Sequence, residues 1–139
     1  METEDLIKIY CSHLRSHAEY CSVVFHDSLT DKQSNAIERA QRVSLKVILG
    51  DSYIDYSSAM EMAGLDSLLV RRDRRALSYG LKSITHPVLK RHFPLNTALL
   101  EDEHDIRNRE LFNVNFARTE RYRNSAIPAI QRRLNEHYS

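Results

Sequence analysis

Three clusters of side chains in this sequence have types and spacings that chemistry could use. His13 and His17 stand four residues apart on one helix face, with Cys21 a turn further on, a spacing compatible with a metal. The intervening Leu14, Arg15 and Ser16 lack the glutamate of a zinc-protease helix, and no compact set of further ligands completes a site. In "DSYIDY", residues 51–56, tyrosines lie beside acids, but the adjacent aspartate pair of a two-metal phosphoryl-transfer site is missing. There is no phosphate-binding loop, G-x-S-x-G or dinucleotide fingerprint. No catalytic residue, metal or cofactor is therefore assigned. The third cluster is "LLVRRDRRALSYGLK", residues 68–82, with four arginines around Asp73. Its chemistry is the binding of anions.

The elements that must position these groups are helices. Three glycines and three prolines in 139 residues punctuate the chain too sparsely for a many-stranded fold. Leu6, Ile7, Tyr10, Leu14, Ala18, Cys21, Val24 and Phe25 recur at steps of three and four, so 5–25 reads as one amphipathic helix, broken at Asp27–Ser28. Thr30 and Gln33 have the form of a capping box opening a second helix that runs to Leu49 and stops at Gly50. A short helix spans about 55–63 and ends at Gly64. Asp66 is placed to cap a longer one reaching Ile84, and Thr85-His86-Pro87 interrupts it. The expectation is an all-α fold, a bundle of about four helices over 1–93. Residues 94–139 form an irregular extension, loosely packed or disordered over 95–122, with a short helix at 128–135.

Cys11 and Cys21, ten helical residues apart, are separated by about 15 Å, too far for a disulfide. No apolar run approaches a membrane span, and the acidic start "METEDL" does not read as a signal peptide. The expected setting is intracellular, in nucleus or cytoplasm. Net charge is only +1, but its distribution is uneven. Residues 1–65 hold six basic side chains against ten acidic ones, and 66–139 hold fourteen against nine. An anion-binding role leans on the second half.

Helical geometry divides these residues. In the second helix Ile37, Ala40, Leu45, Val47 and Ile48 form the apolar arc, and Gln41 and Ser44 lie within it. A buried amide must be hydrogen-bonded, so Gln41 is expected to find partners that order the packing. Arg39, Arg42 and Lys46 occupy the polar face with Glu38. In the last long helix Leu69, Ala76, Leu77, Gly80, Leu81 and Ile84 form one face. Arg71, Arg74, Arg75, Ser78 and Lys82 form the opposite one. Arg72 lies at the boundary, and Asp73 projects from the apolar face toward an expected cationic partner, Arg72 or Arg42. Two basic helix faces fit a phosphate backbone; on helical geometry alone an ordinary solvated surface fits equally well.

Three stretches, "AEYCSVVFHDSLT", "IERAQRVSLKVILGD" and "YIDYSSAMEMAGLDSLLVRRDRRAL", resemble the segment that follows the polymerase active site in non-LTR retrotransposon reverse transcriptases (RNA-directed DNA polymerases). That segment reads Leu-Glu-Tyr-x-Ser-x-Val-Trp, then Glu-x-Val-Gln-Arg, a glycine break, a tyrosine and Leu-x-x-Arg-Arg. Glu19, Tyr20, Ser22 and Val24 match the first element, with Phe25 in place of tryptophan. Glu38, Gln41 and Arg42 match the second, followed by Gly50, Tyr53, Leu68, Arg71 and Arg72. The closing "RNSAIPAIQRRLN" is similar to the tail of such reading frames. The likeness covers roughly residues 6 to 135; Ala18 and Ser16 depart from it, and no stretch matches the fingers or the catalytic palm.

The resemblance implies a non-catalytic, thumb-like helical segment that holds template–primer nucleic acid, RNA or an RNA–DNA duplex, by backbone contacts. The palm of such an enzyme would be a further partner. Arg71 and Arg72 match the motif, while Arg74, Arg75 and Lys82, with Arg39, Arg42 and Lys46, follow from helical geometry. Gln41, Arg72 and Asp73 are expected to be structural. The alternative is a degenerate or repurposed helical module that binds protein and no nucleic acid.

Overall fold

The computed structural model describes residues 2–96 and 110–139. It is all-α. Among the described residues, the extended pairing is confined to an isolated antiparallel bridge between Leu95 and Phe112. No helix among them is long and apolar enough to cross a membrane. The chain forms two compact units, Met1–Ser22 with Leu29–Asp73, and Val23–Ser28 with Arg74–Ser139. These units do not follow the division expected at residue 93.

The first unit begins with α1 (Thr3–Ile9), which continues through a π-helical turn, Tyr10–Leu14, into α2 (Arg15–Glu19). Ser12 and Ser16 return their hydroxyls to carbonyls of the preceding turn, at 2.7–3.2 Å. A π turn inserts one residue into the helical register. Tyr10 is buried at its start and Glu19 beyond it, while Leu14, expected inside, is 58% exposed. The single helix expected over 5–25 also breaks at Tyr20–Cys21, where Cys21 takes a left-handed φ of 52°. From there α3 (Ser22–Phe25) leads into a 3-10 turn, His26–Ser28.

Local signals set the next elements. The Thr30–Gln33 capping box starts α4 (Asp31–Leu49), which ends at Gly50. Asp55 caps α5 (Tyr56–Ala63) by accepting the Ser58 N–H at 3.0 Å, which holds its carboxyl below the usual range. Gly64, at φ 62°, closes α5 in the left-handed conformation that glycine adopts without strain. The last long helix, α6 (Leu68–Thr85), belongs to the first unit through Asp73 and to the second from Arg74. Its cap is Ser67, whose hydroxyl accepts the Val70 N–H at 3.2 Å, rather than the expected Asp66. At the far end, His86 Nδ1 accepts the N–H groups of Val88 and Leu89, both at 3.2 Å.

In its described residues the second unit is more closely packed than a loose extension. Residues 97–109 lie outside the described residues, but 110–122 is packed in part. The terminal helix is longer than expected: it is α8 (Ala126–Tyr138), preceded by α7 (Glu120–Arg123). Phe93, Phe112, Ile130 and Leu134 form a core with Leu77, Leu81 and Ile84 of α6. Gly80 permits the close approach of α8, since a methyl group there would meet Ile130 Cγ2 at 2.7 Å. Asn135 holds both backbone groups of Phe112, at 2.8 and 3.0 Å. One turn earlier, Gln131 accepts the Asn115 N–H at 2.8 Å and donates to the His92 carbonyl at 2.7 Å. Arg133 is paired with Asp27 at 2.5 Å. Buried amides do here what a neighbouring strand does in a sheet.

Candidate nucleic-acid interface

Inside the first unit α4, α5 and the start of α6 surround a polar centre. Gln41 is fully buried: it accepts the Tyr10 hydroxyl at 2.7 Å and donates to Tyr56 Oη at 3.0 Å and the Asp66 carbonyl at 3.1 Å. The buried amide of Gln41 thus has hydrogen-bond partners, as a buried amide must. Tyr56 in turn donates to the Glu38 carboxylate. Glu38 also accepts the Leu68 and Leu69 N–H groups, each at 3.2 Å, placing a negative charge at the positive end of α6. Glu38 was expected on the outer polar face, and this cap is a role that sequence reasoning missed.

Arg71 is not part of an outward stripe. Its Nε and Nη2 engage both oxygens of Glu19, with Nη2 to Oε2 at 3.2 Å, and Glu19 is only 2% exposed. The buried charge of α6 is Arg72, on the Leu68–Arg72–Ala76–Gly80 row that faces inward, and its Nη2 donates to Ser34 Oγ at 2.9 Å. Burial lowers the Arg72 pKa, against the stabilising charges of Glu38 and Glu19. Hydrogen bonding to Glu19 raises that of Arg71. Asp73, expected against the core, is exposed. The apolar side of α6 is centred one residue earlier than the periodicity implied.

Burial pushes the Tyr10 phenol up to about 12, and burial with the Glu38 hydrogen bond raises Tyr56 further. The folded state holds the Tyr10 proton more tightly than the unfolded chain, whose value is near 10.0. Its contribution is therefore complete below pH 10 and is lost as pH rises through 12. Urea midpoints at neutral and strongly alkaline pH should show a smaller alkaline loss in Tyr10→Phe than in the parent. An equal loss in both would remove Tyr10 from this account.

Of the cations expected to bind nucleic acid, Arg39, Arg42 and Lys46 on α4 and Arg74, Arg75 and Lys82 on α6 face solvent. The α4 cations occupy one stripe of the first unit. Arg42 lies 5.0 Å over the Tyr56 ring and Lys46 lies 5.3 Å over that of Tyr53, so aromatic faces prop both side chains. The α6 cations fall on one exposed strip of the second unit with Ser78 between them. Ala40 and Val47, assigned to the buried arc, are instead exposed with Ala36 and Val43, on the side of α4 away from Gln41 and Leu45. Among the described residues no group of three or more His, Cys, Asp or Glu side chains is arranged to hold a metal, and both cysteines are free.

Several of the residues that carry the resemblance are internal: Glu19, Glu38, Gln41, Arg71 and Arg72 converge on the polar centre of the first unit. Tyr20, Val24, Arg42 and Gly50 are exposed. Comparison of the chain with protein-family models, with curated proteins and with solved structures gives no match.

Proposed function

We propose that this chain is a non-catalytic, thumb-like helical segment that grips the backbone of double-helical nucleic acid, an RNA–DNA hybrid or RNA duplex, inside the cell. The observation that carries the reading is the exposed strip Arg74, Arg75 and Lys82 along a rigid helix, with the Arg39, Arg42 and Lys46 stripe as a second cationic surface. Cations at helical spacing neutralise phosphates without reading sequence. The resemblance in motif order supports the same reading. Its buried motif residues, Glu19, Gln41 and Arg72, serve the fold, and the phosphate contacts fall to exposed cations, Arg42 within the motif and the α6 cations beyond it.

A salt titration of hybrid binding by fluorescence anisotropy tests it. Log affinity should fall linearly with log salt concentration, with a slope set by the phosphates neutralised. Absence of binding to hybrid or RNA duplex at low salt would defeat the proposal.

A second reading, a helical module that docks on protein, draws on the exposed stripe Ala36, Ala40, Val43 and Val47, where Val47 is 77% exposed. In a reverse-transcriptase context its partner would be the palm. Salt-insensitive self-association or protein binding without nucleic-acid affinity favours that alternative.

A further inference from the structure

The second unit carries an open cleft of about 310 Å³, lined by Phe116, Arg123, Arg132, Asn115, Glu110 and Val114. Phe116 is 88% exposed, more than any other large apolar side chain described. Its neighbour is not free-swinging chain: the Asn115 N–H is fixed to Gln131, and Phe112 is clasped by Asn135. Arg132 spans the wall, donating from Nη1 to the Arg123 carbonyl at 2.8 Å. The Arg123 guanidinium is 3.4 Å from Glu120, a pair solvated on both sides. Residues 113–135 hold five arginines against one glutamate, with Phe116 and Tyr122 interleaved. Asn115 Nδ2 contacts the Tyr122 hydroxyl at 3.4 Å, which places a second, half-exposed ring beside the cleft.

A flat exposed ring on a fixed backbone, guanidinium groups beside it, and an amide and a carboxylate on the rim match the parts of one nucleotide. The ring stacks on a base, the arginines meet its phosphate, and Asn115 and Glu110 meet the polar edge of the base. We infer that this cleft binds an unpaired nucleotide of single-stranded RNA or DNA. Bases inside a duplex are already stacked and cannot offer a face to Phe116. The site is therefore separate in kind from the α6 grip, and rests neither on α6 nor on the family resemblance.

The test is anisotropy of the full chain with a short labelled single-stranded RNA and, in parallel, an RNA–DNA hybrid. Phe116→Ala should weaken single-strand binding about tenfold, the size of one lost base stack, and leave hybrid binding unchanged. Phe116→Tyr should retain affinity, and Arg123→Gln should flatten the salt dependence. Phe116 is exposed, so these variants keep the fold. Unaltered single-strand affinity in Phe116→Ala, or an equal loss on both probes, would overturn the assignment. So would Phe116-dependent binding of an acidic peptide in competition with RNA. A chain that binds single strands but no duplex contradicts the thumb reading and supports this one; a chain that binds neither overturns both.

Discussion

Glu19→Ala is expected to destabilise the first unit by about 3 kcal/mol, the largest single effect of any charged residue in that unit. Glu19 is 2% exposed and holds Arg71 through both carboxylate oxygens, while its charge also acts on the fully buried Arg72. Removing it takes the carboxylate partner from Arg71 and one of two nearby negative charges from the fully buried Arg72, which keeps Ser34 and Glu38. Arg71 retains a side-chain exposure of 24% and can rehydrate in part, which keeps the loss near the lower end for a broken buried pair. Glu19→Gln keeps the shape and one acceptor and should lose less. Glu19→Leu combined with Arg71→Met should recover part of the loss, since both charges leave together. Urea unfolding followed by circular dichroism measures all three. A loss below about 0.5 kcal/mol, the range of ordinary surface substitutions, would show the pair to be dispensable.

Leu134→Ala is expected to cost about 3 kcal/mol in the second unit. Leu134 is fully buried, packed with Phe93, Phe112 and Ile130 against α6. The residual cavity cannot collapse easily, because Gly80 already lets α8 close on α6 and the Asn135 and Gln131 clasps fix the segment beside it. Hydrogen exchange should show lost protection in α8 and around Phe112. If 94–139 were a loosely attached tail, the substitution would alter stability negligibly. That outcome would contradict the packing described.

Helix periodicity and capping chemistry made much of this fold legible. The Thr30–Gln33 box, the glycine stops at 50 and 64, and the interruption before Pro87 all reside in a few adjacent residues, so they survive any tertiary context. Three things were hidden. The π turn at Tyr10–Leu14 shifts register by one residue, which turns Glu19 inward and Leu14 outward, and nothing in the alternation of residue types marks it. Arg72 lies inside an apolar row because Glu19 and Glu38 approach from distant sequence, and such long-range compensation has no local signature. The ordered C-terminal segment is held by Gln131 and Asn135, residues whose polarity reads as solvent exposure until their backbone partners are known. One available signal was their spacing of four with Leu134 between them.

The same distinction divides the candidate interface. Arg74, Arg75 and Lys82 were identified from helical angle alone and are exposed as expected, whereas Arg71, supported by both angle and motif, is committed to Glu19. The motif includes buried residues that hold the fold, and helix angle located exposed cations.

The most direct test of the central claim is the salt dependence of RNA–DNA hybrid binding by the triple variant Arg74→Gln/Arg75→Gln/Lys82→Gln, compared with the parent chain. The substituted side chains are exposed, so circular dichroism and unfolding midpoints should match the parent's. The account predicts weaker binding and a log–log salt slope reduced in magnitude by about 2 to 3, close to one for each phosphate contact removed. A parent-like affinity and slope in the folded triple variant would contradict it.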